Sequence, residues 1–263
     1  MNLGLNNKVA VIAAASRGLG YAVAEELASE GVSLLICGRE AKTVTESGAA
    51  IANKTGAHVL AVEADVSIPG DVKRLIESAT TRFGRVDILV TNAGGPPAGT
   101  FDALSVEQWE EAARLTLYSA INLAREVLPG MKERGWGRIL NITSIAVKQP
   151  VDNLMLSNSL RAALTGFART LANEVATQGI TVNNILPGYT RTERVEELAS
   201  QMAAKQGITA EQFKSRWEQE IPMRRLGEPL EFAALAAFLV SERASYITGA
   251  SIAVDGGWIK SVF

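Results

Sequence analysis

Two glycines one residue apart, Gly18 and Gly20, separate an apolar run at 8–14 from an amphipathic run at 21–28. The first run is almost continuously apolar, which suits a strand buried on both faces. In the second, Val23, Ala24, Leu27 and Ala28 fall with Leu19 on one helical stripe. A strand, a turn of small residues and a helix make a phosphate site, because backbone N–H groups stay free at a helix start where the dipole is positive. Ser16, Arg17 and Leu19 complete the turn, and its small residues let a pyrophosphate approach. Ala14 stands where a dinucleotide fingerprint commonly has its first glycine, and a bare turn without ligand can show the same pattern.

The elements that would carry this turn alternate along the chain. Strands are expected at 31–37, 58–63, 86–91, 138–143, 180–186 and 251–254. Helices are expected at about 40–54, from Pro69 onward, in one long region at 106–134, at 154–178, and over 191–241 with breaks at Pro222 and Gly227. Alternation without a long linker predicts a single doubly wound α/β domain with a mostly parallel sheet. In such a sheet ligands sit beyond the carboxyl ends of the strands. Polar or glycine-bearing turns at 16–20, 38–39, 65–66, 92–95, 143–144 and 187–192 all fall at that rim.

The 263 residues carry 26 Lys and Arg against 28 Asp and Glu, a net charge of −2, so no basic excess points to nucleic acid or an anionic membrane. No apolar run reaches the length of a membrane span, and residues 1–8 lack the charged and apolar parts of a secretion signal. Cys37 is the single cysteine and His58 the single histidine. A disulfide framework, a cysteine metal site, a histidine triad and a zinc cluster are thereby excluded, and His58 reads as structural. A soluble, cytoplasmic protein is expected, with 47% hydrophobic residues to fill a large core.

Residues 15–20, Asp65 with Val66, Thr91 to Gly94, Asn141 to Ser144, Pro187 and Gly188 with Thr192, and the terminal stretches 247–249 and 254–257 together resemble the short-chain dehydrogenase/reductase family. The resemblance covers essentially the whole chain and is closest to the branch of 3-oxoacyl-carrier-protein reductases and sugar or polyol dehydrogenases. It implies one Rossmann-type domain over 1–263, with a substrate lid at about 190–225, a homotetramer, and a small-molecule carbonyl or alcohol substrate. By the same resemblance Asp65 and Val66 flank an adenine, and Asn92, Ala93 and Gly94 pass close to the adenosine ribose. Pro187, Gly188, Thr190 and Thr192 hold the nicotinamide and pyrophosphate. On the residues alone, Asp65 also reads as a turn residue and Asn92 as part of a tight turn.

The resemblance places Gly38 where NAD-dependent relatives carry a carboxylate for the ribose hydroxyls, with Arg39 next to it. A 2′-phosphate would be repelled by a carboxylate. Gly38 gives it room, Arg39 can pair with it, and Arg17 offers a second positive charge. NADP(H) is therefore the expected cofactor.

The catalytic stretch departs from the family. Its tyrosine acid and the lysine four residues later fall at Ser157 and Arg161, and its relay asparagine at Thr116; Ser144 matches the serine that polarises the carbonyl. Positions 157 and 161 remain neighbours on a helix face. Arg161 keeps a cation near ribose and active site and can fork onto hydroxyls or a substrate carboxylate. With a pKa above about 12 it keeps its proton and cannot act as a proton carrier, and Ser157 is a far poorer acid than tyrosine, whose reference pKa is about 10. Tyr118 is expected to point to another face than Thr116, and Tyr189 reads as a pocket wall or a substitute acid. Phe213, Trp217 and Met223 line an apolar pocket or pack on the sheet, Pro96 and Pro97 stiffen the opposite loop, and Arg224 with Arg225 meets a substrate anion or solvent. Two functions follow: an NADP(H)-dependent oxidoreductase with an atypical catalytic set, Ser144, Ser157 and Arg161, or a dinucleotide-binding sensor or partner subunit with little dehydrogenase activity.

Overall fold

The computed structural model of the chain describes residues 2–262. Seven strands form one sheet, each pair parallel: β1 (Val9–Ile12), β2 (Ser33–Gly38), β3 (Val59–Glu63), β4 (Ile88–Thr91), β5 (Gly137–Ile142), β6 (Ile180–Pro187) and β7 (Ser251–Val254). The order β3-β2-β1-β4-β5-β6-β7 reverses direction between β1 and β4, which is where a cleft opens at the carboxyl edge of such a sheet. The expected mostly parallel sheet is parallel throughout.

Side chains of β1 alternate between the two faces. Ala10 and Ile12 join one core with Val23 and Leu27 of α1 (Gly18–Ser29), Ile51 of α2 (Ala41–Thr55) and Phe232 of α9 (Pro229–Leu239). Val11 and Ala13 join the other, with Leu75 of α3 (Pro69–Phe83), Leu123 of α5 (Ser119–Arg134) and Leu171 of α6 (Met155–Val175). A strand buried on both faces has no place for polar residues, which is why β1 reads as an unbroken apolar run. Full burial of side chains such as Ile12 and Phe232 contributes about 1.5–3 kcal/mol each.

Two features differ from the expected elements. The long helix at 106–134 is three pieces: α4 (Val106–Ala113), a π-helical turn (Arg114–Tyr118), and α5. The 191–241 region resolves into α7 (Glu193–Gln206), α8 (Ala210–Glu220) and α9, with Gly207 in the left-handed conformation ending α7. The first two of these pack into a separate small core of Ala199, Ala203, Phe213, Trp217, Ile221 and Leu226 with Ile145 and Trp258. Phe213 and Trp217 are thus buried in this small core, whereas Met223 is exposed. No helix among the described residues is long and apolar enough to cross a membrane.

Candidate active site

The turn after β1 is held from both sides. Ala13 N–H donates to Val90 of β4 and Ala15 N–H to Cys37 of β2. Ala14 adopts φ +47°, a left-handed conformation that glycine adopts without cost, and Gly18 follows at φ +61°. Gly20 has no room for a side chain: a Cβ there would lie 2.5 Å from Ala14 O and 2.9 Å from Asn92 Nδ2. Asn92 Nδ2 donates to Ala14 O at 3.1 Å, so the end of β4 clamps the turn. The start of α1 has no side-chain cap, as is also true of α2, α3 and α6, while α4, α7 and α8 are capped by Ser105, Thr192 and Thr209. Its first N–H groups remain open to an anion. Thr192 faces Gly18, its Cβ 3.9 Å from where a Gly18 side chain would begin.

At the end of β2, Gly38 is packed rather than roomy. A Cβ there would meet Ser16 Oγ at 3.0 Å and Val44 Cβ at 3.4 Å, so the glycine serves close approach of the first turn as well as leaving out a carboxylate. Arg39 is exposed and forms no ion pair among the described residues. Arg17, the expected second charge, is paired: its Nη1 lies 2.7 Å from Glu193 Oε2, both side chains exposed. Asp65 shows its turn role, accepting from Ser67 N–H at 2.9 Å and Ser67 Oγ at 2.7 Å. Val66 and Leu19 pack against the two main cores. Gly94 borders open space.

On the other side of the crossover, Pro187 ends β6 and Gly188 N–H donates to Val254 O at 3.0 Å. Thr190 is buried. The Thr192 hydroxyl is engaged locally, donating to Thr190 O at 3.3 Å and accepting from Val195 N–H at 3.4 Å. Sequence reasoning missed what braces these strand ends. Thr91 Oγ1 donates to Asn141 Oδ1 (2.7 Å), Asn141 Nδ2 to Asn184 Oδ1 (3.0 Å), and Asn184 Nδ2 to Ser251 Oγ (3.1 Å), a buried polar ladder across β4 to β7. The signal was present as asparagines inside otherwise apolar strands.

The residues expected at the catalytic positions divide. Ser157 and Arg161 meet on α6, with Arg161 Nε donating to Ser157 Oγ at 3.3 Å. Arg161 Nη1 also donates to Ile142 O at 3.0 Å and Thr143 O at 2.8 Å, anchoring α6 to the end of β5. Burial, and secondarily the charge of Arg194, push its guanidinium down to about 10, below the expected range above 12; it remains cationic at neutral pH. Ser144 Oγ accepts from Ala146 N–H at 3.1 Å and bonds neither Ser157 nor Arg161 among the described residues. Thr116 sits in the π-helical turn, buried, its hydroxyl without a partner among the described residues. It lines a cavity of about 10 Å³ with Thr91, Asn92, Ile142 and Arg161, about the size of one water. Tyr118 is exposed where Thr116 is buried, on another face as expected. Tyr189 stacks on Trp217 with ring centroids 4.4 Å apart, and burial, then Glu220 and Asp152, raise its phenol above the usual tyrosine range. The phenol is thus protonated at neutral pH but a weaker acid than an ordinary tyrosine, and its stacking on Trp217 suits a wall. Arg225 forms a bidentate pair with Glu231 at 2.6 and 2.7 Å, so it is not a free anion binder. No cluster of three or more His, Cys, Asp or Glu among the described residues is placed to hold a metal.

Comparison with known proteins fits this architecture. A family model described as enoyl-(acyl carrier protein) reductase matches residues 13–259. The D-beta-hydroxybutyrate dehydrogenase of Rhizobium meliloti (strain 1021) is 34% identical over 95% of this chain and 98% of its own. The 3-oxoacyl-acyl-carrier-protein reductase of Escherichia coli (strain K12) is 33% identical over 97% and 98%. The crystal structure of L-sorbose reductase from Gluconobacter frateurii, complexed with NADPH and L-sorbose, superposes with a TM-score of 0.95 at 36% identity, covering 100% of both chains. The chain belongs to the short-chain dehydrogenase/reductase family, in its 3-oxoacyl-acyl-carrier-protein reductase-like branch.

Proposed function

We propose that this protein is an NADP(H)-dependent oxidoreductase acting on a carbonyl or alcohol, with an atypical catalytic set. The observation that carries the reading is the uncapped start of α1, clamped by Asn92 and facing Thr192 across the cleft. Its open N–H groups, with Ser16, Gly18, Leu19 and Gly20, fit a pyrophosphate. Gly38 and exposed Arg39 fit the 2′-phosphate, which competes with Glu193 for Arg17. Asp65 and Val66 border the adenine, Asn92, Ala93 and Gly94 the adenosine ribose, and Pro187, Gly188, Thr190 and Thr192 the nicotinamide end. Support for the cofactor comes also from L-sorbose reductase, solved with NADPH at 36% identity.

When bound, the dinucleotide supplies or accepts a hydride at nicotinamide C4. Ser144 donates a hydrogen bond to the substrate oxygen and polarises it. Ser157, or a water beside Thr116, passes the proton. Arg161, held by Ile142 O and Thr143 O, stays charged and orients ribose and substrate. Residues 1–263 act as one domain, with 190–225 as lid, in a cytoplasmic homotetramer. A second reading, a dinucleotide-binding sensor or partner subunit with little turnover, is favoured by one observation: the pair at 157 and 161 is a serine hydroxyl bonded to a guanidinium, with neither a phenol nor an amine to donate a proton.

The test pairs titrations of NADPH and NADH with a carbonyl panel followed by cofactor absorbance. Tighter NADPH binding with measurable turnover is expected, and Gly38→Asp should invert the cofactor preference. Tighter NADH binding would remove the cofactor assignment. Tight NADPH binding without turnover on any substrate would move the protein to the second reading.

A further inference from the structure

Three carboxylates stand on the first turns of α7: Glu193, Glu196 and Glu197. Glu196 pairs with Lys214 of α8 at 3.0 Å and Glu197 with Arg194 of α7 at 3.7 Å, so both stay within the segment proposed as lid. Glu193 instead reaches out of it. Its Oε2 lies 2.7 Å from Nη1 of Arg17, the residue that precedes Gly18 in the turn after β1. The neighbouring contacts run the same way. Thr192 faces Gly18, its Cβ 3.9 Å from where a Gly18 side chain would begin, and on the other flank Arg194 Nη2 donates to Pro96 O at 3.2 Å. Residues 192–194 thus meet both the turn after β1 and the loop after β4, the two strand ends between which the cofactor cleft opens.

The base of this crossing is fixed by backbone bonds. Gly227 N–H donates to Tyr189 O and Arg191 N–H to Gly227 O, both at 2.9 Å, in a short parallel bridge just before α7. Beyond the bridge the only tie to the β1 turn among the described ion pairs is Arg17 with Glu193, both exposed. Glu193 also borders an open cavity of about 540 Å³ with Arg191, Thr192, Glu196 and Glu197. Its carboxylate can therefore leave Arg17 without disturbing packed side chains. An ion pair so exposed is weak, shifting an equilibrium by a few-fold. A phosphate carries more charge than a carboxylate and takes a guanidinium in a fork, so it displaces Glu193 from Arg17. A ribose hydroxyl at the same place does not.

We propose, resting on the NADP(H) reading of the cleft, that Arg17 and Glu193 form a latch between the turn after β1 and the lid, opened by the 2′-phosphate. The start of the lid is tied down in the cofactor-free protein and released on that flank when NADP(H) binds. Glu193 then tunes cofactor preference without touching the cofactor. It weakens binding of the dinucleotide whose 2′-phosphate must break the pair, and leaves its unphosphorylated counterpart unaffected.

The experiment measures NADPH and NADH affinity by calorimetry in the full chain and in Glu193→Gln, Arg17→Gln and the double variant, with melting temperatures to show that each is folded. Glu193→Gln should tighten NADPH about two- to fivefold and leave NADH unchanged, and should have no effect once Arg17 is Gln. Hydrogen exchange of the cofactor-free protein reads the latch from its other end. The amides of 195–199 should exchange about two- to fivefold faster in Arg17→Gln, which leaves the α7 sequence untouched. Equal tightening of NADPH and NADH would mean that the pyrophosphate takes Arg17, and would overturn the 2′-phosphate as the key. Weaker NADPH binding by Glu193→Gln, an effect that persists without Arg17, or unchanged α7 exchange in Arg17→Gln would overturn the latch. Native protein that binds NADH more tightly than NADPH fails the cofactor reading instead, and the exchange alone then decides the latch.

Discussion

Ser157 and Arg161 are held as a hydrogen-bonded pair. If, as proposed, they stand at the catalytic positions in place of a phenol and an amine, what is lost is acidity. An aliphatic hydroxyl donating beside a guanidinium gives up its proton far less readily than a phenol with a reference pKa of about 10, and general acid catalysis is typically worth roughly 10²–10⁴-fold. Arg161 cannot compensate, because even at about 10 its guanidinium stays protonated at neutral pH. Restoring the pair with Ser157→Tyr and Arg161→Lys should therefore raise kcat on a carbonyl substrate by about 10²-fold or more. Steady-state assays with NADPH check this, with a melting curve to confirm that the lysine replaces the anchor to Ile142 O and Thr143 O. A folded, NADPH-binding double variant with unchanged kcat would show that proton donation is not what limits the native protein.

At the level of elements, the strand–turn–helix unit β1–α1 carries a strain that the usual sequence avoids. Ala14 occupies the left-handed region at φ +47°, which costs a residue with a Cβ about 1–2 kcal/mol. Ala14→Gly should then raise unfolding stability by about 0.5–1 kcal/mol once the entropy of the added glycine is deducted. Urea denaturation measures it; a lower midpoint would mean that Ala14 packing outweighs the strain. The π-helical turn at Arg114–Tyr118 is a second departure from ideal geometry. Such turns insert one residue into a helix and cluster at functional sites. Here it brings Thr116 against the cavity shared with Arg161. The apolar spacing of 106–134 resembles one uninterrupted helix, because a single inserted residue shifts the pattern by too little to read.

Across the whole molecule, the strands and their parallel order were legible because each strand is a short apolar run bounded by turn residues, as at 33–38 before Arg39 and 88–91 before Asn92. The rim positions followed from strand ends alone. Contacts between distant segments were not legible: the Arg17–Glu193 pair, the Thr91–Asn141–Asn184–Ser251 ladder, and Arg194 reaching Pro96 each join residues that nothing local couples. The stacking of Tyr189 on Trp217, which suits a wall, joins residues distant in the chain and was likewise not legible. The central claim is hydride transfer at the cleft between β1 and β4, and isotope transfer addresses it most directly. The protein is incubated with NADPH deuterated at nicotinamide C4 and a carbonyl substrate, and the alcohol is analysed by mass spectrometry. The account predicts deuterium on the carbinol carbon, formed slowly by the native chain and faster by the Ser157→Tyr/Arg161→Lys variant. Saturating NADPH binding with no deuterated alcohol from either protein would contradict it.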